Sequence, residues 1–163
     1  MIKKSAVLLT AFQGTSSEKL IARFDDTYRK IILENDKNAS VSQLDDALES
    51  STIGCIISFG QKPVIKDKIY IELAGRIGGT LYKTALDTDR LAEILSRREF
   101  QVRISSNAGT SFCNHLYACG LKRISENHYS TKMVFIHVPF EKNISDFKDY
   151  SDRLIKAISD FFT

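Results

Sequence analysis

The sequence predicts a three-layer α/β protein, in which helices cover both faces of a mostly parallel central β-sheet. Two observations carry this prediction. Short β-rich runs alternate with longer segments of helical periodicity along the chain. The run at residues 52–59 is almost continuously apolar, which is typical of a strand that is buried on both faces of a parallel sheet. Because parallel strands need crossover connections, helices are expected on both sides of the sheet.

Six strands are predicted from runs rich in β-branched and aromatic residues. In chain order they are residues 6–12, 29–34, 52–59, 68–73, 101–105 and 132–139. In the fourth strand, Ile69 and Ile71 alternate with Tyr70 and Glu72, which indicates a half-exposed strand. The glycine-bearing segment at residues 75–80 is interpreted as part of the connection to the next helix.

Five helices are predicted between and after these strands. They cover residues 16–24, 40–50, 88–98 and 110–126, and the last begins at residue 145. Ser40 and Gln43 have the spacing of a capping box, which places the start of the second helix at Ser40. No linker, repeat or low-complexity segment interrupts the pattern, so one domain is predicted over residues 1–163.

The composition excludes several classes of protein. The chain has 163 residues, 43% of them hydrophobic and 26% charged, with only eight Gly and two Pro, which excludes a collagen-like or disordered chain. The net charge of +3 comes from scattered charges of both signs and does not indicate a nucleic-acid partner. No run approaches the roughly 18 apolar residues of a membrane span, and the N-terminus resembles a first strand rather than a signal peptide.

The cysteines indicate a compartment. Three are present, an odd number, and Cys55 lies inside an apolar strand, so a reducing cytoplasm is expected rather than an oxidising location. Cys113 and Cys119 are six residues apart and do not form a metal-ligand pair on a helix. The sequence therefore predicts neither a metal nor a cofactor.

Two reactive side chains follow predicted strands, where ligands bind in open α/β sheets. Cys113 lies in or near the first turn of a helix, where the helix dipole favours a thiolate. His137 lies at the end of the strand 132–139. Because consecutive strands are often neighbours, the thiol and the imidazole are expected to meet at one edge of the sheet. A purely structural role for both residues stays open, since cysteine is commonly buried.

The segments around these two residues resemble the pyroglutamyl peptidases type I, also called pyrrolidone-carboxylate peptidases. The segment AGTSFCNHLYACGL resembles the cysteine motif of that family, and FIHVPF resembles its histidine motif. VLLTAF is similar to the opening strand of the family, and IISFGQ is similar to its middle strand. The resemblance spans most of the chain.

This resemblance implies a cysteine peptidase that removes N-terminal pyroglutamate, with Cys113 as the nucleophile and His137 as the general base and acid. The family's acid is a Glu in a Pro-Glu-Arg-Val segment, and Asp67 occupies that position here. Arg76 stands where the family has an arginine that is associated with stabilising the reacting carbonyl oxygen. The implied substrate is a peptide or small amide with a blocked N-terminus, and a homo-oligomer is a possible assembly.

The resemblance also implies a small apolar pocket for the lactam ring. Phe12 and Phe112 are expected in its wall, and Gln61 or backbone groups are expected to pair with the ring amide. The loop at residues 13–17 is shorter than in the family, and residues 62–66 replace a Gly-Gly-Arg stretch. These departures leave two alternatives: a thiol hydrolase for another small amide or N-terminal group, and an inactive peptidase-like binding subunit.

Overall fold

The chain is described by a computed structural model that covers residues 1–109 and 111–163. Within these residues the strands are β1 (Val7–Phe12), β2 (Arg29–Leu33), β3 (Cys55–Lys62), β4 (Lys68–Glu72), β5 (Ala74–Ile77), β6 (Thr80–Lys83), β7 (Gln101–Ser105) and β8 (Lys132–Pro139). The helices are α1 (Ser16–Ala22), α2 (Lys37–Ser50), α3 (Thr88–Arg97), α4 (Phe112–Glu126) and α5 (Phe147–Phe161). The predicted helix start at Thr110 falls outside the described residues.

Six of these strands form the central sheet, in the spatial order β2-β1-β3-β8-β4-β7, while β5 and β6 form a separate hairpin. The strands β2, β1, β3 and β8 pair in parallel. β4 is antiparallel to β8, and β7 is parallel to β4. The predicted mostly parallel sheet is confirmed, with one antiparallel junction between β8 and β4.

Helices cover both faces of the sheet and complete the three layers. On one face, here called the α4 face, α2 and α4 pack on strand residues that include Leu8, Ile56 and Phe135. On the other, the α5 face, α1, α3 and α5 pack on alternate strand residues that include Leu9 and Ile57. Successive strand residues point to opposite faces, so a residue's position in its strand decides which helices it meets. Across the described ranges, no helix combines the length and apolar character that a bilayer crossing requires.

The start of α2 differs from the prediction. Asp36 is the N-cap, and its side chain accepts a 2.7 Å hydrogen bond from the backbone N–H of Ala39. Ser40 lies inside the helix, and the side-chain oxygen of Gln43 accepts from the backbone N–H of Glu34. The predicted capping box at Ser40 is therefore wrong, because an aspartate four residues earlier already satisfies a free N–H of the first turn.

The glycine-bearing segment is a β-hairpin rather than a plain connection. β5 and β6 pair in antiparallel register around Gly78 and Gly79, whose φ angles are 55° and 79°. A two-residue turn with positive φ at both positions matches the twist of a hairpin and favours glycine. The Gly-Gly pair was the signal for this turn.

Candidate active site

The thiol of Cys113 lies over β3 on the α4 face. Cys113 is the second residue of α4, and a Cβ atom built on Gly60 would lie 2.8 Å from its Sγ atom. The same Cβ would lie 2.7 Å from Cε1 of Phe135. Gly60 therefore leaves the space that the sulfur occupies. Gly60 is also the register partner of His137 on the neighbouring strand, so the thiol and the imidazole belong to one small region of the α4 face.

The imidazole of His137 is held by a buried carboxylate. Its Nδ1 donates a 2.8 Å hydrogen bond to Oε1 of Glu72. The exposed fraction of His137 is 3% and that of Glu72 is 0%. The hydroxyl of Tyr117 on α4 donates to the backbone carbonyl of Glu72 at 2.8 Å, which fixes the end of β4. Because Nδ1 carries the proton in this bond, Nε2 of the neutral ring is free to accept one.

The structure corrects the prediction that Asp67 orients His137. The Asp67 carboxylate accepts from the backbone N–H of Ser145 at 2.7 Å and from its hydroxyl at 2.5 Å, ahead of α5. In the antiparallel pairing, Tyr70 lies opposite His137, so Tyr70 and Glu72 share the α4 face with the imidazole. Asp67 lies before β4 begins, and the alternation of the strand assigns its position to the face opposite Tyr70 and Glu72.

Glu72 is the site residue that the sequence analysis missed. The alternation along β4 singled it out only as a polar position in a half-exposed strand. β4 lies between β8 and β7 in the sheet, Tyr117 of α4 contacts the Glu72 backbone, and the polar side chain at position 72 is buried. A buried carboxylate needs hydrogen-bonded partners, and His137 provides one.

The position of β4 also changes how Cys113 reaches His137. β7, which precedes Cys113, is separated from β8 by β4 and runs antiparallel to β8. The prediction that these consecutive strands are neighbours is therefore wrong. The thiol still reaches the imidazole's region, because α4 places Cys113 over Gly60 of β3, the register partner of His137.

The charge on Glu72 is stabilised where it lies. Burial on its own would raise the pKa of the Glu72 carboxyl. The hydrogen bond from His137, the nearby Ser105 hydroxyl and the positive charge of Lys62 outweigh burial and lower this pKa below its ordinary value. Glu72 is therefore a carboxylate at neutral pH and can stabilise a protonated imidazole.

The environment of Cys113 favours the thiol over the thiolate. Burial, with a smaller contribution from the charge of Glu72, raises the pKa of Cys113 to about 12. The side chains of Ser111 and Lys62 act in the opposite direction but do not overcome burial. The thiolate expected from the helix N-terminus is thus not the favoured form, and a base must remove the proton during any attack. No hydrogen bond joins the thiol to His137 among the described residues, and such contacts often tighten only in the reacting complex.

A clamp joins the hairpin to the helix that carries Cys113. The side-chain oxygen of Asn114 accepts from the backbone N–H of Arg76 at 2.9 Å, and its side-chain nitrogen donates to the Arg76 carbonyl at 2.8 Å. A Cβ on Gly75 would lie 2.6 Å from the backbone nitrogen of Ala118, so the hairpin backbone rests directly on α4. Asn114, the residue that follows Cys113, thereby sets the position of Arg76 relative to α4.

The Arg76 side chain borders an open depression of about 550 Å³. Its other lining residues are Ser106, Asn107, Ala108, Gly109 and Asn114. Nη1 of Arg76 donates to the carbonyl of Gly79 at 3.1 Å, within its own hairpin. The structure thus places the predicted oxyanion residue beside the segment that leads into α4.

The predicted substrate-binding residues fall into two groups. The rings of Phe12 and Phe112 lie 5.9 Å apart, and Phe112, which precedes Cys113, is 37% exposed. They form an apolar wall next to the thiol. Gln61 lies apart from them on the α5 face, where its Oε1 accepts from the backbone N–H of Ser16 at 3.0 Å. The structure therefore does not bring Gln61 to Cys113.

Fold and site together define a three-layer α/β protein that gathers a thiol, an imidazole and a buried carboxylate on one sheet face. A family model described as pyroglutamyl peptidase matches residues 62–150, more than half of the chain and a segment that contains all three groups. The chain belongs to the pyroglutamyl peptidase family. The family resemblance seen in its motifs is confirmed.

Individual relatives are distant and matched in part. The chain is similar to a pyrrolidone-carboxylate peptidase of Bacillus amyloliquefaciens, with 33% identity over 63 residues, 39% of this chain and 29% of that protein. Pyrrolidone-carboxylate peptidase 1 of Caldanaerobacter subterraneus subsp. tengcongensis is 30% identical over 87 residues, 50% of this chain and 42% of that protein. In these sequence matches the chain thus spans less than half the length of the curated relatives.

Solved structures match nearly the whole fold. The crystal structure of pyroglutamyl peptidase I from Bacillus amyloliquefaciens has a TM-score of 0.79 at 22% identity and covers 93% of each chain. Pyrrolidone carboxyl peptidase from Thermococcus litoralis has a TM-score of 0.78 at 20% identity, covering 94% of this chain and 91% of that one. At these identities the likeness shows a shared fold.

Proposed function

We propose that this protein is a cysteine peptidase that removes an N-terminal pyroglutamyl residue from peptides. The observation that carries the proposal is the placement of the Cys113 thiol over Gly60, beside His137, whose Nδ1 is bound to the buried Glu72. Membership of the family supports the substrate class. Glu72 takes the place that the sequence analysis assigned to Asp67.

The first half of the reaction forms a thioester. The sulfur of Cys113 attacks the carbonyl carbon that joins the pyroglutamyl residue to the next amine. As the S–C bond forms, the thiol proton passes to Nε2 of His137, because the buried thiol is protonated at neutral pH. Glu72 stabilises the resulting imidazolium through Nδ1. The imidazolium then protonates the leaving amine as the C–N bond breaks.

The second half of the reaction regenerates the enzyme. His137 removes a proton from water, whose oxygen attacks the thioester carbonyl. The C–S bond breaks, the proton returns to the sulfur of Cys113, and pyroglutamic acid leaves. In both halves the carbonyl oxygen becomes an oxyanion, which backbone N–H groups at the start of α4 stabilise, with aid from Arg76.

The proposed lactam pocket uses the apolar wall of Phe12 and Phe112, with backbone groups pairing the ring amide. All three cysteines are free, which supports a reducing compartment such as the cytoplasm. A homo-oligomer is proposed from the family resemblance.

The proposal is tested by release of a fluorogenic amine from a pyroglutamyl conjugate. Wild-type protein is expected to turn over, and Cys113→Ala is expected to lose all activity above background. Cys119→Ser is the matched control, because this second, partly exposed cysteine lies on the same helix and contacts His115 rather than His137. Equal turnover by wild type and Cys113→Ala would exclude this cysteine as the nucleophile.

Two observations favour the alternatives. Gln61 is engaged at the start of α1, so lactam recognition through this side chain is not available, and a thiol hydrolase for another small amide fits that difference. The raised pKa of Cys113 favours an inactive binding subunit. A panel of N-terminally blocked amides separates the two, because the hydrolase cleaves one of them while the binding subunit cleaves none.

A further inference from the structure

A lysine shares the carboxylate that holds His137. Lys62 is the last residue of β3, and its Nζ lies 3.3 Å from Oε1 of Glu72, the same oxygen that accepts from Nδ1 of His137. The lysine side chain is 29% exposed while that of Glu72 is fully buried. One carboxylate oxygen therefore has two positively polarised partners from different strands.

Two more contacts fix the ammonium group of Lys62. Nζ lies 3.5 Å from the carbonyl oxygen of Asn107, in the segment that leads towards Cys113. It also lies 4.9 Å from the centre of the Tyr70 ring, which shares the α4 face of β4 with Glu72. Cation–π attraction and two oxygen partners together restrain a side chain that would otherwise be mobile.

We propose that Lys62 is a positioning residue, whose ammonium group holds the buried Glu72 carboxylate in its bond to Nδ1 of His137. An unpaired carboxylate is costly to bury, and the second oxygen of Glu72, Oε2, has no hydrogen-bond partner among the described residues. The nearby ammonium offsets this cost. This inference rests on the proposed function, since it concerns the same site.

The groups around Glu72 come from four elements besides β4. They are Lys62 on β3, Ser105 on β7, His137 on β8, and Cys113 and Tyr117 on α4, with Tyr70 on β4 itself. Removing the Lys62 ammonium group takes away a positive charge that balances the negative charge of Glu72. Protonation of the Glu72 carboxylate and of a Cys113 thiolate then becomes easier, so a higher pH is needed to ionise either group.

The test replaces the charge and keeps the length of the side chain. Lys62→Met removes the ammonium group, Lys62→Arg restores a cation, and Lys66→Met makes the same change at an exposed lysine four residues away. Lys62→Met is expected to slow iodoacetamide alkylation of Cys113 at pH 8 by roughly three- to tenfold, measured by peptide mass spectrometry. Lys62→Arg is expected to recover most of the rate, and Lys66→Met to match wild type.

Two further readouts separate positioning from a general structural role. The downfield proton resonance of the His137 Nδ1–H is expected to weaken in Lys62→Met, and kcat is expected to fall while KM stays near the wild-type value.

A double-mutant cycle tests the pairing of Lys62 with Glu72 through stability. Lys62→Met is expected to lower the urea midpoint at pH 7, and to do so less in a Glu72→Gln background. Lys62→Gln serves as a second neutral variant if Lys62→Met does not fold.

These results also separate this inference from the proposed function. Alkylation and the imidazole resonance need no substrate, so they decide the role of Lys62 even if no variant cleaves a pyroglutamyl conjugate. A Lys62→Met protein that matches Lys66→Met in alkylation rate, resonance and urea midpoint would overturn the positioning role.

Discussion

Nδ1 of His137 lies 2.8 Å from Oε1 of Glu72, and neither side chain is accessible enough for water to replace the other. This contact joins two strands that run antiparallel in an otherwise mostly parallel sheet. It fixes which ring nitrogen faces the site and gives the imidazole a buried counter-charge. A histidine held in this way can act as a base towards a nearby thiol.

Replacing Glu72 by Gln is expected to lower kcat by about 10² to 10⁴, because the amide cannot stabilise the imidazolium and does not enforce the same tautomer. KM for a pyroglutamyl conjugate is expected to change little, since Glu72 is buried beneath His137. Steady-state kinetics with the fluorogenic amide measures both values.

Asp67→Asn is the matched control for that change. Asp67 has a φ of 53°, a conformation that asparagine tolerates, and its side chain contacts Ser145 rather than His137. The variant is expected to keep wild-type activity and to lose about 1 kcal/mol of stability from weakened hydrogen bonds. Loss of activity in Asp67→Asn with none in Glu72→Gln would reverse the assignment of the acid.

Gly60→Ala is expected to displace the nucleophile. The added methyl group would stand 2.8 Å from Sγ of Cys113 and 2.7 Å from the Phe135 ring, inside contact distance of both. Overpacking of this kind costs about 1–3 kcal/mol, and a shifted sulfur is expected to reduce kcat by at least about tenfold. Thermal unfolding and turnover measure the two effects.

Gly120→Ala provides the comparison for that substitution. Its new methyl group would also be crowded, at 2.6 Å from Sδ of Met133, but that atom lies near the end of a flexible side chain away from Cys113. Activity per folded molecule is expected to stay unchanged. If both glycine variants lost turnover equally, crowding at Gly60 would not act through the sulfur.

Asn114→Ala is expected to release the β5–β6 hairpin from α4. Two hydrogen bonds to the Arg76 backbone are lost, which corresponds to about 1–3 kcal/mol in total. Faster hydrogen exchange at the Arg76 amide and a reduced kcat are the expected results. Asn127→Ala, which removes a side-chain bond at the other end of α4, is expected to leave exchange at Arg76 unaltered.

Stability is expected to fall in acid through Glu72. Its folded-state pKa lies below the ordinary value of a glutamate, so in the acid range the unfolded chain binds more protons than the folded one. The stabilisation is present above about pH 4.5 and is lost as the pH falls through the folded-state pKa. Urea unfolding between pH 3 and pH 7 measures it, and Glu72→Gln is expected to show a shallower dependence. An unchanged pH dependence in that variant would contradict the ionised state of Glu72.

Much of the fold follows from local patterns. The strands over Gln101–Ser105 and Lys132–Pro139 agree with the periodicity, and most of the helix boundaries lie within two residues of the predicted ones, because side-chain spacing on one face is a property of neighbouring residues. The capping of α2 by Asp36 and the Gly-Gly hairpin were present in the sequence as signals of the same local kind. The positions of Cys113 at a helix start and of His137 at a strand end likewise follow from the sequence.

The acid of the site depends instead on which strands pair. Insertion of β4 between β8 and β7, in the antiparallel sense, puts Glu72 on the face of His137 and leaves Asp67 with Ser145. Strand order and direction arise from contacts between residues distant in sequence, and a change of one position in register moves a side chain to the other face. Short segments of the chain therefore determine the thiol, the imidazole and the layered fold. Which carboxylate and which lysine lie beside them depends on the pairing of strands that are distant in sequence.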